Sequence, residues 1–394
     1  MPDALFWGAT LRKFALLFAT LAFSGTAVAA DLPMVTKAPS ATPDYSPRYW
    51  LEADFLGWTV TGDKLPALVT TSPAGTPAAL AGVLGAPGTT VLFGDSAANN
   101  DWRAGGRLTG GYWFDPSHRT GIEASFFDLA NASSRFNANS GGTPILAQPF
   151  TNAVTGKQDA LFSAFPGFDS GAVSANDTSR LLGASIIFRQ DIGWWGSERF
   201  SALIGYRYLR SSDGLGVSSS IVSGPGVLAV PLGTTIGVSD SFNAASNFNG
   251  IDLGAIGEFK TGPWVLEWRA SIAIGANFSN AQINGSTNIN GATAPGGFLA
   301  LSSNIGNYNQ TTFAVVPELN LKVGYQLTPH WRVVAGYDVL YWTGVLRSGN
   351  LIDTTINPNL LPPPSGGGPQ RPQASLNTSS LIAQGFNVGL RSDF

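Results

Sequence analysis

From Tyr49 to the end of the chain, apolar and polar residues alternate in short runs, the period of a strand whose two faces meet different surroundings. Ten such runs can be traced, at approximately 49 to 58, 103 to 114, 120 to 130, 179 to 191, 199 to 211, 248 to 260, 263 to 277, 312 to 327, 330 to 342 and 380 to 394. The clearest sets Trp264, Leu266, Trp268, Ala270, Ile272 and Ile274 against Val265, Glu267, Arg269, Ser271, Ala273 and Gly275. In the eighth run Val315, Leu319, Leu321, Val323 and Tyr325 oppose Glu318, Asn320, Lys322 and Gln326, and in the ninth Trp331, Val333, Ala335, Tyr337 and Val339 oppose Arg332, Gly336 and Asp338. Alternation alone does not say which face is outside. A soluble sandwich turns the apolar face inward, whereas a membrane barrel turns it to lipid and keeps polar side chains in its lumen.

Three features favour the barrel. Short connections at Asp115 to Arg119, Ile192 to Glu198, Thr261 to Gly262 and Thr328 to Pro329 alternate with long ones of about 30 to 50 residues, and the strand count is even. Aromatic residues crowd the strand ends beside the short turns, at Tyr112, Trp113 and Phe114, Trp194 and Trp195, Phe259 and Trp264, and Tyr325 and Trp331, as in an interfacial girdle. The final run places Phe386, Val388 and Leu390 on one face and ends at Phe394, a terminal aromatic similar to the assembly signal read by the barrel-assembly machinery. A Gly-Tyr step at Gly111, Gly205, Gly324 and Gly336, with glycine on the polar face, suits a sheet that must bend to close. The predicted fold is all-β: a transmembrane antiparallel barrel of ten strands, or twelve if a long connection hides a hairpin, with short periplasmic turns and long extracellular loops.

The first thirty residues read as an address. Arg12 and Lys13 precede an apolar run from Phe14 to Phe23 and then small residues through Ala27, Val28, Ala29 and Ala30, the order of a secretory signal peptide cleaved after Ala29 or Ala30. The run is about half the ~20 residues a spanning helix needs. Residues 31 to 48, with Pro33, Pro39, Pro43 and Pro47, read as an extended periplasmic leader, and 49 to 394 as the barrel.

Composition narrows function. A net charge of -3 offers no basic surface for nucleic acid, and the absence of cysteine removes thiolate metal sites, disulfides and cysteine nucleophiles. His118 and His330 fall at short turns, and no G-x-S-x-G elbow, P-loop or H-E-x-x-H occurs, so neither an enzyme nor a cofactor or metal site is expected. The polar face carries Glu52, Asp54, Arg103, Arg107, Glu123, Arg189, Arg207, Asp252, Glu258, Glu267, Arg269, Glu318, Lys322, Arg332, Asp338 and Arg391, nearly balanced in sign. Such charges either pair into a plug or line a wet channel for small hydrophilic solutes. Ten strands make a narrow barrel, so the channel would be small or occluded. A non-conducting structural barrel, or a surface adhesin or receptor using its Ser-, Asn-, Gly- and Thr-rich loops, is the alternative. In each case the partners expected are outer-membrane lipid and the assembly machinery of a Gram-negative cell.

Several stretches resemble the family described as putative β-barrel porin type 7. They are LVTTSPAGTP at Leu68 to Pro77, GVLGAPGTTVLFG at Gly82 to Gly94, SNIGNY at Ser303 to Tyr308, PELNLKVGYQLTP from Pro317, VAGYDVLYWTGVLRSG ending at Gly349, and AQGFNVGL at Ala383 to Leu390. The chain departs from the expected Arg-Pro-Gly-Asp at Arg347-Ser348-Gly349-Asn350, which removes a carboxylate from that loop. ADLP at Ala30 to Pro33 is also similar to the mature starts of small outer-membrane barrels. The resemblance implies an outer-membrane barrel of porin type.

Overall fold

A computed structural model describes residues 47–196, 198–226 and 230–394. The expected signal peptide, its cleavage at Ala29 or Ala30, and all but the last two residues of the leader lie outside them. Ten long strands form the frame: β1 (Tyr49–Val60), β2 (Trp102–Trp113), β3 (Thr120–Leu129), β4 (Asp169–Trp195), β5 (Glu198–Ser223), β6 (Thr235–Thr261), β7 (Trp264–Ile289), β8 (Gly306–Gln326), β9 (Trp331–Leu346) and β10 (Thr378–Asp393). Each pairs antiparallel with its sequence neighbours, and β1 pairs with β10 through Trp50↔Asp393 to Val60↔Ala383, so the sheet closes on itself. Tyr49 and Phe394 exchange both backbone N–H···O bonds at the seam, each 2.8 Å.

Side-chain direction follows the alternation. Leu266 and Leu321 are each 48% exposed on the outer wall, with Leu51, Phe55, Ile186, Ile204, Ile251 and Phe386, while Glu52, Arg207, Asp252 and Asp338 are buried inside. Gly111 is required by packing: a Cβ there would lie 2.2 Å from the Trp50 indole nitrogen, which covers the glycine from within. The outer wall carries aromatic residues around the short-turn end, including Phe114, Trp194, Trp195, Trp264, Tyr325 and Trp331.

The strands are much longer than the alternation of one apolar face predicts. β4 to β7 run 26 or 27 residues each, well over twice the ~9–11 needed to cross a bilayer. Segments 212 to 247 and 278 to 311, read from sequence as loops, are largely strand. The physical reason is an inversion of polarity at fixed parity. Along β7 the outward residues are apolar up to Phe278 and then become Asn280, Gln282, Asn284, Ser286 and Asn288, while the inward ones turn from Glu267, Arg269 and Ser271 to Ala281 and Ile283. β6 repeats this, with Ile251 and Leu253 outward below and Asn243, Asn247 and Asn249 outward above, over inward Phe242, Ala244 and Phe248. Below the switch the wall is greasy outside. Above it, the barrel is built like a water-soluble one.

The long connections cap that upper part. Strands Val69–Ser72, Thr90–Phe93, Ile145–Asn152, Gln158–Ala164 and Thr355–Ile356 form a small sheet of their own, and strand Ala132–Ser140 continues the course of β3 along the upper half of β4. A core of Phe150, Leu215, Phe242, Ile283, Phe298, Leu301, Leu346 and Leu351 fills the interior at this level. This capped region is the dome.

Candidate functional site

Strand parity delivers the charged residues to the lumen. Even positions of β1 bring in Glu52 and Asp54; odd positions of β2, β3 and β5 bring in Arg107, Glu123 and Arg207. There they neutralise one another. Arg107 Nε lies 2.9 Å from Asp54 Oδ2 and its Nη1 3.2 Å from Asp338 Oδ1. Lys322 bridges Glu52 and Asp54, Arg207 pairs with Asp252 at 2.7 Å and with Glu318, and Arg269 pairs with Glu123. Asn387 Nδ2 donates to Asp338 Oδ2 at 2.7 Å, and Asn320 donates to the same carboxylate. A cavity of about 70 Å³ lies in the midst of this network, beside Glu267, room for a few water molecules.

Nearer the turns, Arg391 lies 4.3 Å from the centre of the Trp50 ring and 3.0 Å from Asp393, and Arg189 stands 5.1 Å over Trp113 while donating to Ser201 Oγ. Glu258 pairs with Lys260 at 2.9 Å, and Arg332 Nε donates to Gln326 Oε1 at 2.9 Å. Of the residues predicted to line the lumen, Arg103 stands apart. It points inward at the opposite end, donating to Asn99 O at 2.7 Å and Ser179 O at 3.3 Å.

Above the ionic layer lies a second closure that sequence reading missed. Leu56, Trp58, Phe127, Leu181, Leu209, Phe248, Leu340 and Trp342 point inward and are buried together. Ring centres are 5.3 Å apart for Trp58–Phe127 and 6.3 Å for Phe248–Trp342, and Trp342 Nε1 donates to Asn277 Oδ1 at 2.8 Å. The signal was present: Leu56 and Trp58 share parity with Glu52 and Asp54, and Trp342 with Asp338, so the inner face turns apolar toward the loop end.

A third group sits at the base of the dome. Arg347, 1% exposed, holds Nε 2.6 Å from Asp213 Oδ2. Ser348 Oγ and Gly349 N donate to Asp63 Oδ2 at 2.6 and 2.8 Å, Ser348 Oγ reaches Asp177 Oδ1 at 3.3 Å, and Asn99 Nδ2 donates to Asp177 Oδ2 at 2.6 Å. Three buried carboxylates thus face two guanidinium groups, those of Arg103 and Arg347. Burial, reinforced by the charges of Asp63 and Asp213, pushes the Asp177 carboxyl up to about 7. Burial also raises Asp63, against the pull of Arg347. The loop that departs from Arg-Pro-Gly-Asp therefore borrows its carboxylates from Asp63, just after β1, and from Asp177 and Asp213 in the upper parts of β4 and β5. These residues fell in predicted loops, so nothing in the alternation marked them as neighbours.

Both histidines are engaged at the turn end. His118 Nε2 is 2.7 Å from Pro47 O, its ring is stacked on Trp113 at 5.0 Å, and His330 Nδ1 is 3.1 Å from Asp393 O. Among the described residues no group of three or more His, Asp or Glu side chains is placed to hold a metal ion.

A closed antiparallel ring with an apolar outer belt, an aromatic girdle and a polar inner wall defines an outer-membrane β-barrel. The model of the family described as Putative beta barrel porin-7 (BBP7) matches residues 50–394, and the chain belongs to that family. Among solved structures, it is similar to the outer membrane protease OmpT from Escherichia coli, at 11% identity over 89% of this chain and 98% of that one, with a TM-score of 0.39. It is also similar to the translocator domain of the autotransporter NalP from Neisseria meningitidis (11% identity, 98% and 96% covered, TM-score 0.29). A third is a Pseudomonas aeruginosa FadL homologue (11% identity, 89% and 91% covered, TM-score 0.21). No curated protein matches the chain.

Proposed function

We propose that this protein is a barrel closed by its own side chains, which acts at the cell surface through its dome as a structural scaffold or receptor. The observation that carries this reading is the double closure of the lumen, an ion-paired layer around a cavity of about 70 Å³ beneath an aromatic and aliphatic layer. Opening a path requires breaking both. Separating one buried ion pair costs on the order of 3–5 kcal/mol, and several would have to part together.

Both histidines lie at the turn end, away from the dome through which this role would be exercised. Passive diffusion of small hydrophilic solutes is the second reading, favoured by the polar lower wall and by the porin family. Recording from the purified protein in planar bilayers separates the two. A silent membrane across the voltage range supports the closed barrel; stable unitary steps refute it in favour of the channel.

A further inference from the structure

At the level where the outer wall changes from apolar to polar, one sector carries charge. Asp128 on β3, Arg180 on β4 and Arg210 on β5 all point outward there. Arg180 donates from Nε and Nη2 to Asp128 at 3.2 and 2.6 Å, while Arg210 touches only the neutral Asn247, at 3.3 Å. The pairing Arg180↔Ser212 and Leu182↔Arg210 makes the two arginines diagonal neighbours on adjacent strands, with backbones roughly 7–8 Å apart. Among the described residues, these are the guanidinium groups of the outer wall at this height; the opposite side presents Thr59, Trp102, Tyr341 and Ile382.

Below the pair the wall is apolar and partly aromatic, with Ile186 at 54% and Ile204 at 53% exposure beside exposed Phe126 and Tyr206. Above it, the outward face of β5 continues through Ser212, Gly214, Gly216, Ser218 and Ser220, all uncharged and small. That stretch is roughly 26 Å long at ~3.3 Å per residue.

We infer that this sector docks one phosphorylated glycolipid of the outer leaflet, its acyl chains on the apolar wall below, its phosphates between Arg180 and Arg210, and its sugars along the hydroxyl-rich wall above. The site goes beyond the closed-barrel reading and does not depend on it. A guanidinium pair with net charge left after Asp128 is satisfied fits a phosphate, which accepts charge-assisted bonds from two forks at once. The length of wall above, uncharged along β5 and with Arg135 two strands away at the level of Gly216, selects the occupant: a glycerophospholipid headgroup ends near the paired arginines, whereas a saccharide chain runs on beside the serines.

The test is binding of the delipidated full-length protein in detergent to lipopolysaccharide, to lipid A without its sugars, and to phosphatidylglycerol, read by native mass spectrometry. The wild type is expected to bind lipopolysaccharide more tightly than lipid A, and lipid A more tightly than phosphatidylglycerol. Arg180→Ala with Arg210→Ala should weaken binding of both glycolipids at least tenfold. Arg210→Gln, which leaves the Arg180–Asp128 pair intact, gives a smaller loss in the same direction and keeps the test valid should the double variant fold poorly. Ser218→Asp should weaken lipopolysaccharide but not lipid A. Equal affinity for all three lipids, or unchanged glycolipid binding in a folded Arg210→Gln variant, overturns the assignment.

Discussion

The carboxylate surplus at the base of the dome should make the dome sensitive to pH, and Asp177 is where to test it. Its side chain is fully buried, receives a hydrogen bond from Asn99, lies 3.3 Å from Ser348 Oγ, and shares its surroundings with Asp63, Asp213, Arg347 and Arg103. Burial raises its carboxyl from 3.8 to about 7 in the folded state, so the folded protein keeps a proton that the unfolded chain releases near pH 4. The sign follows from linkage: the contribution is fully present below pH 4 and is lost as pH rises through about 7. At ~1.4 kcal/mol per tenfold change in acidity, ionising this group costs about 4 kcal/mol by pH 8. Asp177→Asn removes the charge and keeps an oxygen for Asn99. Guanidinium unfolding in lipid vesicles, followed by tryptophan emission at pH 5 and pH 8, should show wild-type stability falling by about 2.5 kcal/mol on account of this group, since at pH 5 part of the contribution is already lost, and that fall should be abolished in Asp177→Asn, with any share due to Asp63 retained. The same pH dependence in variant and wild type would refute a buried protonated Asp177.

Three further outcomes follow from named contacts. Asp240, buried within the dome, accepts the N–H groups of Phe298 at 3.0 Å and Ala300 at 2.8 Å; Asp240→Ala should cost about 3 kcal/mol and abolish slow hydrogen exchange at those two amides. Trp342→Ala removes a fully buried indole from the lumen, and a loss of about 3–5 kcal/mol should lower the temperature at which the protein's heat-modifiable gel mobility changes; an unaltered temperature would mean the indole is not packed. Deleting Phe394, whose ring is stacked on Tyr49 at 6.1 Å where β1 meets β10, should slow assembly, with unchanged yield of the folded gel form as the contrary result.

Much of the barrel could be read from residues alone because lipid outside and charge inside write a two-residue rhythm into each strand. Leu266 against Glu267 and Leu321 against Lys322 show that rhythm on two adjacent strands. The upper half was hidden because its polarity is reversed: Asn280, Gln282 and Asn284 keep the parity of Leu266 but read as loop once a continuous apolar face is required. Trp58 and Trp342 were similarly obscured, being apolar residues on a face taken to be hydrophilic throughout. The Arg347 cluster was out of reach for a different reason. Asp63, Asp177, Asp213 and Arg347 are separated by long stretches of chain, and only the closed ring brings them together. Arg103 shows the limit of parity, which gives a residue's face but not its height in the barrel.

The most direct measurement is a scan of single spin labels along β7, at Leu266, Ile272, Phe278, Asn280 and Asn284, comparing accessibility to a lipid-soluble and a water-soluble relaxation agent in bilayers. The account predicts contact with lipid from Leu266 through Phe278 and with water by Asn284, the change falling where the outward residues turn from apolar to amide. Lipid contact persisting through Asn284, or labels at Leu266 and Ile272 shielded from lipid, would contradict it.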